Sequence, residues 1–166
     1  MLLHVCCAPC STHVIDSLRR EYDITCYFYN PNIYPQEEYS KRLDEMRRHA
    51  SRAGVELVIG DYDSERWLSM TDHLRGEKEG GKRCELCYRI RLEETARYAS
   101  EHGFDNFATT LTISPAKKAA VINRIGGELA KTYNVGFLEA DFKKKNGFRR
   151  SVEMSREEKM YRQNYC

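Results

Sequence analysis

The sequence predicts an α/β fold: an open parallel sheet of about five strands with helices on both faces, in a Rossmann-like arrangement. Three observations predict it. Short β-favouring apolar runs alternate with longer helical patterns along the whole chain. Strand, helix and strand recur in that order, as crossover connections between parallel strands require. Glycines stand where the helical patterns stop, at Gly54 and Gly103.

Met1 to Val5 read as the first strand, and Ser11 or Thr12 ahead of the periodic Val14, Ile15 and Leu18 as the start of the first helix. Ile24 to Tyr29 form a second strand that Asn30-Pro31-Asn32 ends. Gln36 to Ala53 read as a charged helix with Tyr39, Leu43, Met46 and Ala50 on one face, before a third strand at Val55 to Ile59. Ser64 to Leu74 suit a helix, Gly76 to Lys82 a loop, and Cys84 to His102 a long helix. Phe104 to Thr110 make a fourth strand, Ile113 to Pro115 a loop, Ala116 to Tyr133 a helix and Val135 to Leu138 a fifth strand. A basic tail with one short helix follows at about 140–166. Ligands of such sheets bind beyond the carboxyl ends of the strands. That rule gathers Cys6 to Cys10, Tyr29 to Pro35, Thr109 to Lys117 and Ala140 to Arg150 along one edge, in a Rossmann-like (HUP-like) sheet.

A chain of 166 residues is enough for one domain, 1–166, with a substantial core. The start lacks the charged segment and long apolar run of a signal peptide, and no stretch approaches membrane-spanning length, so a soluble, cytoplasmic protein with no membrane partner is expected. In a reducing compartment, seven cysteines read as metal ligands or redox groups sooner than disulfides. The net charge of +2 is nearly neutral, so any nucleic-acid argument depends on where the basic residues cluster.

His4-Val5-Cys6-Cys7-Ala8-Pro9-Cys10-Ser11 sets three cysteines on a strand-to-helix turn. Unpaired backbone N–H groups and the helix dipole there should lower thiol pKa values and supply thiolates as ligands or nucleophiles. Cys26, inside a strand, reads as a small core residue. Cys84 and Cys87 are three apart at a helix start, so both sulfurs share a face. Together the two segments offer five thiolates, one more than a four-ligand site needs. Zinc ribbons keep their pairs roughly fifteen to twenty residues apart, whereas here a long stretch intervenes. An iron–sulfur cluster accepts ligands from distant segments and is modestly favoured. A thiol–disulfide oxidoreductase using Cys7 and Cys10 without metal is the competing reading.

The runs His4–Ser11, Tyr29-Asn30-Pro31-Asn32-Ile33, Arg83-Cys84-Glu85-Leu86-Cys87-Tyr88, Thr109-Thr110-Leu111, Asp141-Phe142-Lys143-Lys144-Lys145 and Tyr161-Arg162-Gln163-Asn164-Tyr165-Cys166 resemble the QueH-type epoxyqueuosine reductases from end to end. The resemblance implies reduction of the epoxide of epoxyqueuosine in the tRNA anticodon loop to give queuosine. It implies a 4Fe-4S cluster on Cys6, Cys7, Cys84 and Cys87, with Cys10 beside it as a ligand of one additional iron. Tyr29, His4 and Asp141 lie near the inferred strand ends as proton-donor candidates, each with a structural alternative: core cap, core histidine and turn cap. The family ends in Tyr-Cys-Gly-Cys and a few more residues, its two cysteines forming a redox pair, whereas this sequence stops at Cys166. Either the chain is shortened or Cys166 lacks that role. The electron donor is a separate, unidentified partner.

Lys143, Lys144, Lys145, Arg149 and Arg150 interleave with Phe142 and Phe148, a pattern that suits phosphates and splayed bases as well as a solvated basic turn. Tyr29, Asn30, Asn32, Thr109, Thr110 and Ser114 lie on the same predicted rim and are candidates for reading base or sugar edges.

Overall fold

A computed structural model describes residues 1–163 and 165. The sheet is five-stranded and wholly parallel, in the order β3-β2-β1-β4-β5. The strands are β1 (Leu2–His4), β2 (Thr25–Phe28), β3 (Glu56–Ile59), β4 (Asn106–Thr109) and β5 (Gly136–Phe137). The helices are α1 (Ala8–Leu18), α2 (Gln36–Ala53), α3 (Ser64–Thr71), α4 (Lys82–Glu101), α5 (Ala119–Tyr133) and α6 (Gly147–Glu157), with 3₁₀ turns at Asp72–Leu74 and Thr110–Ile113. The α/β reading therefore holds. No helix among the described residues is long and apolar enough to cross a membrane.

Alternation along the strands sorts the core into two layers. Leu3, Cys26, Phe28 and Ala108 pack with Ile15, Leu43 and Met46 of α1 and α2. Leu2, Tyr27 and Phe107 pack on the other face with Leu92, Ala96, Ile122 and Ile125 of α4 and α5. Full burial of each large apolar side chain stabilises the fold by about 1.5–3 kcal/mol. Cys26 is fully buried in the first layer, a small core residue as predicted.

Several boundaries differ from the sequence reading. The first helix starts at Ala8, not at Ser11 or Thr12: Pro9 fits the first helical turn, where its missing N–H costs nothing. The Ser11 and Thr12 hydroxyls turn back to the Ala8 and Pro9 carbonyls at 2.8 and 3.1 Å instead of capping the helix. The fourth strand stops at Thr109 because Thr110–Ile113 winds into a 3₁₀ turn, and α5 begins three residues later than expected, at Ala119. Gly54 closes α2 in the left-handed region, with φ 66°.

The basic tail does not trail into solvent. Helix α6 docks on α1, where the Ser151 hydroxyl donates to the Pro9 carbonyl at 2.9 Å. Gly147 permits this approach, since a Cβ there would crowd the His13 ring of α1 and collide with the Phe142 carbonyl of the preceding turn. The chain then returns over α2: the Tyr161 N–H donates to Glu45 at 3.2 Å and its hydroxyl to Glu38 at 2.9 Å.

Candidate metal centre and active site

Strand order reverses between β1 and β4, so the connections leaving these two strands diverge and open a crevice at their carboxyl ends. Cys6, Cys7 and Cys10 occupy it. Cys7 is the extended N-cap of α1 and Cys10 lies in the helix's first turn, which folds the three side chains toward one point. Their sulfurs all lie within 4.8 Å of one another, Cys6 and Cys7 at 3.9 Å. Across the crevice, the Thr110 hydroxyl accepts the Cys6 N–H at 3.2 Å and donates to the Cys6 sulfur at 3.5 Å.

Charge concentrates on one sulfur. Hydrogen bonds from Cys10 and Cys7, with the nearby Arg91 and Lys117 charges, hold the Cys6 thiol well below its usual range despite burial. Cys10 is driven well above its range by its hydrogen bonds to Cys6 and Cys7 and by burial. The Cys10 hydrogen bond lowers Cys7, but the Cys6 hydrogen bond, burial and the Cys6 charge outweigh it and raise Cys7 to about 12. The expectation that the thiols of this turn fall together is therefore met only by Cys6, because three adjacent sulfurs cannot all carry charge without a cation among them.

The sulfur group lines a cavity of about 230 Å³ whose walls come from the four segments that the strand-end rule gathers. Asn30, Asn32 and Ile33 follow β2, Leu111, Ser114 and Lys117 follow β4, and Phe148 comes from α6. Arg42, Glu79, Arg91, Arg162, Gln163 and Tyr165 complete it. Sequence reasoning did not pick out Arg91, although Cys84, Cys87 and Arg91 share a face at helical spacing. This arginine is 1% exposed and donates to the Asn30 side-chain oxygen at 2.7 Å, while the Asn30 amide donates to the Val5 carbonyl at 2.9 Å. The relay pins the backbone just before Cys6.

His4 is fully buried below the crevice, with Nδ1 2.9 Å from the Thr109 hydroxyl and Nε2 3.2 Å from the Tyr29 carbonyl. A carbonyl only accepts, so Nε2 carries the proton; Thr109 donates to Nδ1 and accepts the Leu111 N–H at 3.2 Å. Burial and the Arg91 charge lower the His4 pKa to about 3. His4 is a neutral core histidine that orders both strand ends, and its one proton is committed to a carbonyl.

The remaining predicted residues divide. Cys84 and Cys87 stand in the first two turns of α4, outside the 4.8 Å sulfur group. Cys87 is buried, and partly buried Cys84 accepts the Gly80 N–H at 3.2 Å and packs against the same apolar layer as Cys6. Asn30, Asn32 and Ser114 line the cavity, and the Asn30, Thr109 and Thr110 side chains also hold its frame. The Tyr29 side chain lines a separate cavity with Asp61, Asp63 and Glu94, and burial followed by the Glu94 charge raises its pKa. Lys143 pairs with Asp141 at 2.8 Å and donates to the Lys117 carbonyl at 3.4 Å. Lys144 and Lys145 are exposed, and Arg149 pairs with Glu153 at 2.9 Å. Phe142 packs against the core. Cys166 lies outside the described residues.

The family model described as "Epoxyqueuosine reductase QueH" matches residues 1–166. Curated relatives named "Epoxyqueuosine reductase QueH" include one from Streptococcus pyogenes serotype M1, 44% identical over 172 residues that take in the whole of this chain and 68% of the relative. One from Staphylococcus epidermidis is 40% identical over the whole chain and 73% of its own length. The Thermotoga maritima relative is 37% identical over the whole chain and 86% of its length.

Proposed function

The chain belongs to the QueH family of epoxyqueuosine reductases, and from that premise we propose that it converts epoxyqueuosine in the tRNA anticodon loop to queuosine with an iron–sulfur cluster bound at the crevice between β1 and β4. The observation that carries the metal is the convergence of the Cys6, Cys7 and Cys10 sulfurs within 4.8 Å. An all-sulfur donor set selects soft metals and iron–sulfur clusters, and Cys84 and Cys87 supply the thiolates that a four-iron cluster needs beyond Cys6 and Cys7. Cys10 is then the fifth sulfur, free to hold an additional iron.

Opening the epoxide to an alkene consumes two electrons and two protons and releases the oxygen as water. No side chain in the cavity donates electrons at low potential; a cluster held by Cys6, Cys7, Cys84 and Cys87 would supply them singly, and an iron held at Cys10 would act as Lewis acid toward the epoxide oxygen. The chain does the rest. Arg91 and Lys117 offset the negative charge of thiolates held away from water. Thr110 fixes the Cys6 backbone and hydrogen-bonds its sulfur, and the Arg91–Asn30 relay fixes the turn before it. Asn32, Ser114, Arg162 and Gln163 present polar groups to a substrate in the cavity, and Phe148 adds an aromatic wall. Because His4 is neutral and its one proton is committed to a carbonyl, it is not the proton donor.

Lys144, Lys145 and Arg149 are outlying phosphate contacts in this reading. Exposed ion pairs such as Arg149–Glu153 hold their partners by only about 0–1 kcal/mol and yield readily to a phosphate. Metal-free exchange at Cys7 and Cys10 is disfavoured, since the attacking first cysteine of such a motif has a lowered pKa, whereas Cys7 is raised to about 12.

The test is turnover of tRNA carrying epoxyqueuosine by anaerobically iron-loaded protein with a chemical reductant. The modified nucleoside should lose one oxygen atom by mass, and only with loaded protein. Equal conversion by metal-free protein would refute the cluster's role.

A further inference from the structure

Five large hydrophobic residues are exposed among the described residues, Tyr34 the most, at 64%. The others have evident positions: Tyr161 is bonded to Glu38, Tyr165 lies in the wall of the cysteine cavity itself with the Arg42 guanidinium carbon 4.9 Å from its ring centre, Met70 lines the separate acidic cavity, and Ile59 ends an edge strand. Tyr34 follows directly on Asn32 and Ile33, which wall the cysteine cavity.

The turn that carries Tyr34 is held from both sides. The Ile33 N–H donates to the Asn30 carbonyl at 3.2 Å, and the Tyr62 hydroxyl donates to the Ile33 carbonyl at 2.7 Å. Asn30 and Ile33 are both 1% exposed. A large ring is thus presented to solvent from a rigid base, which keeps the entropy cost of docking against it low. The cavity beside it is lined by Arg42, Arg91, Lys117 and Arg162; Arg42 is paired with Glu38 at 2.7 Å, and the other three stand against one acid, Glu79, a charge balance complementary to a polyanion. An exposed aromatic next to a cationic cleft is the combination that holds unpaired nucleotides, base on ring and phosphate on cation.

We propose that Tyr34 is the stacking platform for an unpaired anticodon-loop base flanking the modified nucleotide, holding the loop over the cysteine cavity. The proposal rests on tRNA being the substrate. It places base recognition on the turn after β2, apart from the basic run at 143–150.

The experiment measures binding of an anticodon stem-loop carrying epoxyqueuosine to the iron-loaded wild-type, Tyr34→Ala and Tyr34→Phe proteins. Loss of one base–aromatic stack should weaken binding by about 5- to 150-fold in Tyr34→Ala. Tyr34→Phe should match wild type, and iron content and thermal midpoint should be unchanged in both. Equal affinity of Tyr34→Ala and wild type overturns the proposal. So does a Tyr34→Phe protein as weak as Tyr34→Ala, because the hydroxyl and not the ring face would then be recognised. Failure of wild type itself to bind the stem-loop is a different result, and removes the tRNA reading on which the proposal stands.

Discussion

Replacing His4 with glutamine should flatten the acid end of the stability curve. His4 is fully buried, and burial together with the Arg91 charge lowers its pKa from 6.5 to about 3. Below pH 6.5 the unfolded chain takes up a proton at this position that the folded chain refuses, so stability is present in full above pH 6.5 and drains as pH falls toward 3. Each pH unit within that window costs about 1.4 kcal/mol, so wild type should lose on the order of 3 kcal/mol through this residue between pH 7 and pH 4.5. Glutamine can still donate to the Tyr29 carbonyl but does not titrate. The variant starts less stable at neutral pH, having lost the ring's packing, yet should lose about 3 kcal/mol less on acidification. Urea unfolding of the reduced, metal-free proteins at the two pH values reads the difference, and the other histidines contribute equally to both proteins. Identical acid losses in wild type and His4→Gln would mean that His4 protonates freely in the fold, and the carbonyl-committed tautomer would be wrong.

Thr110→Val keeps the side chain's shape but leaves the Cys6 N–H without its acceptor, and should cost about 1–3 kcal/mol in denaturant unfolding. Loss of the O–H···S hydrogen bond should also lower the cluster's reduction potential, measured by dye titration, with Thr110→Ser near wild type. Arg91→Met leaves the buried Asn30 side-chain oxygen without its donor and should destabilise the fold by about 1–3 kcal/mol in denaturant unfolding, whereas Arg149→Ala should change stability by about 0.5 kcal/mol or less. Neutralising Lys144 and Arg149 together should reduce the salt slope of tRNA binding by about one unit for each phosphate the protein no longer neutralises, and leave iron content unchanged.

The sheet was legible because parallel strands buried on both faces read as short apolar runs, and Leu2–His4 and Thr25–Phe28 lie inside such runs. The start of α1 was misplaced because Pro9 looks like a breaker and Ser11 like a cap, although a proline in the first turn is favourable. The cysteines announced themselves by spacing and the strand-end rule placed the crevice, since both depend on local sequence and topology. Arg91 was hidden because an arginine within a charged helix looks solvated until the helix is docked. The tail's return was hidden for a similar reason: its course over α2 is set by Glu38 and Glu45, whose partners lie more than a hundred residues away.

Whether two cysteine pairs from distant segments hold one cluster is read from the iron and sulfide content and the visible spectrum of wild type, Cys6→Ser and Cys84→Ser proteins purified without oxygen. Cys84→Ser should lose iron, sulfide and the broad visible absorption as completely as Cys6→Ser, since serine oxygen is a poor substitute for thiolate at a soft site. Full iron and sulfide in Cys84→Ser, with loss only in Cys6→Ser, would contradict a shared cluster and leave a metal held by the Cys6, Cys7 and Cys10 sulfurs alone.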